Sequence, residues 1–396
     1  MPSVCFYFQV HQPWRLKSYN CFRIGYDHDY FDDAVNQAVL NRVSDKCYLP
    51  ANRLMLELID SHEGRFRIAY SITGTALEQM ERFRPDVIES FQALAETGCV
   101  EFLSETYHHS LSFLYSRDEF VRQVQMHRQK IETLFHQTPS VFRNTELIYN
   151  NALAAFVDNM GYKGILCEGL DSALRGRSPN FVYHPPHSTT FACLPKNYKL
   201  SDDIAFRFSD KGWQQWPLTA PRFSNWIHQT AGNGETINLF MDYETFGEHQ
   251  WPETGIFDFI RCLPTEIFRH PDFNFLTPSE IIDNYPARDA YDVHAFSSWA
   301  DLERDLSAWL GNSLQKDAIE RIYALEQQAK SDPDLLDVWA RLLTSDHFYY
   351  MCTKYWQDGD VHKYFSHYDT PYEGYINYMN VVTDLEYLLE RTPVSI

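Results

Sequence analysis

Val4-Cys5-Phe6-Tyr7-Phe8-Gln9-Val10 is an unbroken β-forming run that leads directly into His11-Gln12-Pro13-Trp14. In parallel α/β folds the polar residues just past a strand's carboxyl end lie at the active-site face. Other strand ends read the same way. Cys99–Leu103 leads into Glu105, Tyr107, His108 and His109; Val141–Arg143 leads into Asn144, Thr145 and Glu146; Leu239–Met241 leads into Asp242, Tyr243 and Glu244.

Outward from these points, short β-rich runs alternate with helical patterns as far as about residue 285. Val4–Val10, Phe66–Ile72, Cys99–Leu103, Ser140–Arg143, Gly164–Cys167, Ile204–Phe208, Thr236–Met241 and Phe273–Leu276 are predicted strands. Ser116-Arg117-Asp118-Glu119 is a capping box that opens a helix carrying Phe120, Val124, Ile131 and Phe135 on one side. Leu153, Phe156, Val157 and Met160 follow helical spacing, and Gly161 is placed to end that helix. Repeated strand–helix units imply a parallel sheet, either open or closed into a barrel, and the Gly-rich phosphate loop of a dinucleotide-binding sheet is missing. Residues from about 170 to 235 form an irregular insertion rich in Pro, Ser and Trp, suited to a lid, a subsite wall or simple surface packing. From Ser297 the pattern turns helical: Ser298-Trp299-Ala300-Asp301 resembles a cap, with Leu302, Leu306, Trp309 and Leu310 as an apolar stripe, and helical patterns continue to Leu389.

With 396 residues, 44% hydrophobic and 22% charged, the chain can bury a large core. A formal net charge of −20, without a long basic run, opposes phosphate-backbone binding, so no nucleic-acid partner is expected. No stretch approaches the roughly 20 apolar residues of a membrane span, and the first residues lack a basic start and a small-residue cleavage site. The eight cysteines stand singly, without metal or redox spacing, and read as small buried hydrophobes of a reducing compartment. A cytoplasmic enzyme with no membrane contact is the expectation. Aromatic residues make up 16% of the chain, which suits stacking against sugar faces as well as a large core.

Taken singly, a carboxylate at a strand end is usually a cap or half of an ion pair. Several strand ends carrying His, Glu and Asp beside aromatics point instead to glycoside hydrolysis, where one carboxylate attacks the anomeric carbon and another protonates the leaving oxygen. At these segments the chain resembles glycoside hydrolase family 57. The resemblance is carried by His11-Gln12-Pro13, by Gly98 to His109, by Phe142 to Tyr149, by Phe240 to Gly247 and by Ser345-Asp346-His347-Phe348-Tyr349-Tyr350. It implies a (β/α)7 barrel over residues 1–290, followed by a helical region over 291–396 that completes the active site. It also implies Glu146 as nucleophile and Asp242 as general acid/base, with His11, His109, His249, Asp346 and Tyr349 lining the sugar subsite. His109 stands where some transglycosylating branches carry Glu; His249 and Tyr349 stand where they carry Trp. The wording around Glu146 and Asp242 is most similar to the α-amylase branch, and the chain retains both catalytic positions that a related amylase-like branch has lost.

The expected activity is retaining hydrolysis of an α-glucan or maltooligosaccharide through a covalent glycosyl-enzyme, with no cofactor. One alternative is a 4-α-glucanotransferase or branching enzyme using the same pair. Another is a metal-dependent hydrolase or deacetylase drawing ligands from His11, Glu105, His108, His109 and Asp242. A third is a non-catalytic glucan-binding protein. Adjacent His108 and His109 on a strand would face opposite sides, so at most one would enter the site. The acidic run from Asp27 to Asp33 reads as a solvated helix start or as a calcium loop.

Overall fold

Strand β1 (Ser3–Val10) is buried along its whole length, and the rest of the barrel is registered on it. β7 (Thr236–Asp242) runs parallel to one edge from Ser3↔Thr236 to Gln9↔Asp242. A strand has two edges, so the other is shared. β8 (Asn274–Phe275) pairs with Ser3 and Val4, and β2 (Ile68–Ile72) pairs with Phe6 to Val10. β3 (Val100–Phe102) continues the sheet beyond β2, while β4 (Val141–Arg143), β5 (Gly164–Cys167) and β6 (Ala192–Pro195) form a second parallel sheet. The computed structural model describes residues 2–354 and 366–391.

Two seams join these sheets into a closed ring. At the first, Ser104 bridges β3 to β4: its N–H donates to Val141 O at 3.0 Å, and its carbonyl accepts from Arg143 N at 2.9 Å. At the second, Asn197 N donates to Asn238 O at 2.8 Å, and Asn238 Nδ2 donates to Pro195 O at 2.8 Å. The order β1-β2-β3-β4-β5-β6-β7 therefore returns to β1, and the fold is a (β/α)7 barrel with a helical C-terminal region.

The strand period of two divides an inner core from an outer one. Cys5 and Tyr7 join Leu103, Val141, Leu166, Leu194 and Phe240 in one apolar cluster; Val4, Phe6, Phe8 and Val10 join Leu54, Met80, Phe91 and Leu263 in another. The helix Arg117–Phe135 starts where its cap predicts, with the Ser116 hydroxyl accepting from Glu119 N at 3.1 Å. Gly161, at φ 89°, takes the left-handed turn that follows the helix Asn151–Asn159. Helices Ser313–Ala324, Pro333–Leu342 and Pro371–Arg391 bury a further cluster around Trp309, Trp339, Phe348 and Val382. Among the described residues no helix is long and apolar enough to cross a membrane.

Several local expectations fail. Ile204–Phe208 is not a strand: Ile204 lies in the helix Tyr198–Ala205, capped by the Asn197 side chain, and Phe206 is 64% exposed. The sixth barrel strand is Ala192–Pro195, inside the segment expected to be irregular. Nor does a helix begin at Ser298. Asp301 and Arg304 hold φ near +53° and +52°, outside helical space, Leu302 is exposed, and the first helical turn is Ser307–Leu310. Cys21 and Cys262 are exposed; the other six cysteines are buried, and all eight are free thiols. Only the end of the acidic run starts a helix, with Asp32 capping Asp33–Val43, while Asp27, Asp29 and Asp33 pair with Arg23, Lys17 and Arg82.

The Asn197 side chain caps the helix Tyr198–Ala205 and donates to Asn180 Oδ1 at 2.9 Å, so Asn197→Ala, which keeps the backbone seam bond, is expected to cost about 1–2 kcal/mol in urea unfolding. A cost below about 0.5 kcal/mol, as at an ordinary surface position, would contradict this assignment of the segment.

Candidate active site

β4 stops at Arg143, and the chain then makes a single tight turn. Leu147 N donates to Asn144 O at 3.0 Å, Ile148 N to Thr145 O at 2.9 Å, and Asn144 Nδ2 to Ile148 O at 3.1 Å. Glu146 sits at φ 57°, ψ 27°, a left-handed conformation that costs a non-glycine residue on the order of 1 kcal/mol. Thr145 holds the turn down, its hydroxyl donating to Ser110 O at 2.8 Å and lying 2.8 Å from the Thr106 hydroxyl.

This turn presents the Glu146 carboxylate to two donors. His109 Nε2 lies 3.2 Å from Oε1, and the Trp299 indole N–H donates to Oε2 at 2.6 Å. Trp299 N also donates to the Glu146 carbonyl at 3.1 Å, which commits that backbone to the site and explains why no helix starts there. Both Arg143, at 4.9 Å, and Lys196, at 5.3 Å, lie over the Trp299 ring. Burial pushes the Glu146 carboxyl up, but His109, Arg143 and the indole outweigh it and hold the group below its ordinary value.

Asp242 ends β7, across the barrel mouth from β4. Burial raises its pKa, the charge of Glu146 adds to the rise, and His249, Arg143 and Lys196 oppose it; the net is upward. Glu244, two residues on, is buried and pushed up to about 8 by burial and by Asp242, and it accepts from the Tyr48 hydroxyl. The two carboxyl groups singled out from sequence are thus electrostatically coupled and biased in opposite directions, Glu146 downward and Asp242 upward.

His11 and Asp346 form the near wall. His11 Nε2 is 2.9 Å from Asp346 Oδ2, its Nδ1 is 2.9 Å from the Thr73 hydroxyl, and its ring stacks on His109 with centroids 4.0 Å apart. Burial raises the Asp346 carboxyl, but His11 more than reverses that and keeps it ionised. Ser345 N donates to His109 O at 3.0 Å, so the C-terminal region is pinned to the barrel beside the site. Tyr349 lies next to Trp309 and is influenced by the charge of Glu146; His249 interacts with Asp242. His108 does not join the carboxylates: its ring packs against Tyr107, with centroids 4.9 Å apart, and the charges that reach it are Arg122 and Arg341. Among the described residues no group of three or more His, Cys, Asp or Glu is arranged to hold a metal ion.

Trp299 and Lys196 lie outside the motifs, and Arg143, inside one of them, was given no role from sequence. Trp299 resembled a helix cap, and nothing in its neighbours announces a partner more than 150 positions earlier.

Residues 5–294 match the description glycosyl hydrolase family 57. A Methanocaldococcus jannaschii protein named "Putative alpha-amylase" is 44% identical over 402 residues, covering 98% of this chain and 85% of that one. The fold is similar to a branching enzyme from Pyrococcus horikoshii, with a TM-score of 0.69 at 15% identity over 92% of this chain and 87% of that one. It is also similar to an α-amylase from Thermotoga maritima, with a TM-score of 0.61 at 14% identity over 98% and 94% of the respective chains. Likenesses at that identity speak to the fold, whereas the match along residues 5–294 and the 44% identical relative speak to descent: the chain belongs to glycosyl hydrolase family 57.

Proposed function

We propose that this enzyme is a retaining hydrolase of the α-amylase type, cutting α-glucans with Glu146 as nucleophile and Asp242 as general acid/base. The observation that carries the reading is the opposite bias of two coupled carboxyl groups across one barrel mouth, Glu146 shifted toward its ionised form and Asp242 toward its protonated form. Ionised Glu146 attacks the anomeric carbon while Asp242 gives its proton to the departing glycosidic oxygen. Once Glu146 is esterified its negative charge is gone, and with it one cause of the raised Asp242 pKa. Asp242, having given up its proton, then stays ionised more readily and can take a proton from the water that releases the sugar.

Ionised Asp346, 22% exposed, and His11 supply hydrogen-bonding groups for sugar hydroxyls, with His249 and Tyr349 completing the wall. In this reading the helical region beyond residue 290 is part of the active site. The fit of His11 to Asp346 and of Trp299 to Glu146 supports it.

Maltoheptaose incubated with the enzyme should give only shorter chains, and proton NMR should show the α anomer formed first. Longer products would assign the acceptor role to a sugar, as in a glucanotransferase, and an initial β anomer would rule out double displacement. Glu146→Gln should lose turnover of glucans and of activated aryl glycosides alike. Asp242→Asn should still form the glycosyl-enzyme from aryl glycosides and regain turnover with azide; rescue of the Glu146 variant instead, with retention, would reverse the roles.

The kcat/KM profile should be bell-shaped, rising with pH as Glu146 ionises and falling as Asp242 loses its proton. Trp299→Phe removes one donor from Glu146 and so raises its pKa. The acidic limb should move to higher pH and kcat/KM should drop about tenfold. An unmoved acidic limb would show that the indole N–H does not stabilise the nucleophile.

A further inference from the structure

We infer that Glu105 is a positioning residue: ionised and buried, it holds His109 as a doubly protonated imidazolium whose second N–H keeps Glu146 ionised and aimed. The inference rests on Glu146 being the nucleophile.

His109 is gripped at both ring nitrogens by carboxylates. Its Nδ1 lies 3.3 Å from Glu105 Oε2 and its Nε2 lies 3.2 Å from Glu146 Oε1. Ionised carboxylates only accept, so both contacts are hydrogen bonds when the ring carries two protons. The alternative is a proton on one of the carboxyl groups, and the surroundings of Glu105 disfavour it there. The Gln9 amide turns its NH2 toward Glu105 Oε1 at 3.2 Å, while its oxygen lies 2.7 Å from the Tyr7 hydroxyl and 3.0 Å from the Ser71 hydroxyl, which are themselves 2.6 Å apart. Arg143 adds a buried positive charge with Nη1 3.8 Å from Oε2. Gln9 and His109 donate to Glu105 and Arg143 adds its positive charge nearby, which is the environment of an ionised carboxylate.

The groups facing His109 are Glu105, Glu146, Arg143, Asp346 and the stacked His11 ring. Arg143 opposes the imidazolium charge; Glu105, Glu146 and Asp346 favour it. His127, whose Nδ1 accepts from Glu105 N at 3.3 Å, adds another group beside Glu105. Glu105 is 0% and His109 2% exposed, so water screens this pairing little. Burial works against a charged ring, yet the Glu105 and Glu146 contacts outweigh it and raise His109 to about 9, while Glu105 falls to about 2. Removing the Glu105 charge takes one of the two anions from the imidazolium. When the ring gives up a proton and keeps the one on Nδ1, a lone pair faces Glu146, and the nucleophile becomes harder to ionise.

The test uses Glu105→Gln and Glu105→Asp, read by the pH dependence of maltoheptaose hydrolysis and by 15N NMR of histidine-labelled protein. Wild-type His109 should show both nitrogens protonated at pH 7 and titrate near 9. In Glu105→Gln it should titrate at least about one pH unit lower. The acidic limb of kcat/KM should rise by about half a unit or more, with kcat down about tenfold and KM changed less than about twofold. Glu105→Asp keeps the charge and should recover much of the rate. A neutral His109 at pH 7 in the wild type, or a Glu105→Gln variant with unshifted limb and resonances, would overturn the inference. The wild-type spectrum decides it even where Glu105→Gln does not fold. An inactive wild type with an imidazolium at His109 would instead refute the hydrolase reading and leave the Glu105–His109 pair standing.

Discussion

A carboxylate nucleophile in a mostly buried site must be given both a charge and a direction, because burial works against the ionised form and a flexible side chain has several rotamers. For Glu146, the proposed nucleophile of this barrel, both come from hydrogen bonds that converge on it from distant parts of the chain. His109, from the loop after β3, takes one oxygen; Trp299, from the segment beyond the last strand, takes the other. Glu146 meets both donors from a left-handed conformation at φ 57°, in a turn held by the Thr106–Thr145 contact.

The same convergence explains how the C-terminal region is attached. Asp346 bonds to His11 at the end of β1, Ser345 N to the His109 carbonyl, and Thr344 bridges to Ser110. Tyr149, just past the nucleophile turn, bridges to Ser297 just before Trp299. The contacts that join the helices to the barrel are in large part the contacts that organise the catalytic groups. Stability at this junction and rate in the cleft are consequently tied to one set of hydrogen bonds, and their mutational costs should not be additive.

Much of this was legible in the sequence, for identifiable reasons. β1 is an eight-residue run, polar only at Ser3 and Gln9, that stops just before His11, and the strands leading to Glu146 and Asp242 end just as abruptly in polar groups. The Ser116 cap and Gly161 mark helix boundaries through local chemistry alone. The sixth strand escaped because Ala192-Cys193-Leu194-Pro195 has no β-branched residue, and its place in the sheet depends on β5 and the Asn197 seam. Ile204, Phe206 and Phe208 imitate a strand's alternation, but Asn197 sets a helical phase in which Ile204 is buried and Phe206 faces solvent. Trp299 had no local signature: its role arises from a single tertiary contact with Glu146.

The central claim is that Glu146 forms a bond to the sugar. A fluorinated α-glucosyl fluoride, with a good leaving group and slowed hydrolysis of the intermediate, should trap it, and peptide mass spectrometry of the inactivated enzyme should find one glycosyl adduct on the peptide carrying Glu146. An adduct on the peptide carrying Asp242, or steady turnover of the reagent to inverted product with no adduct, would contradict the account.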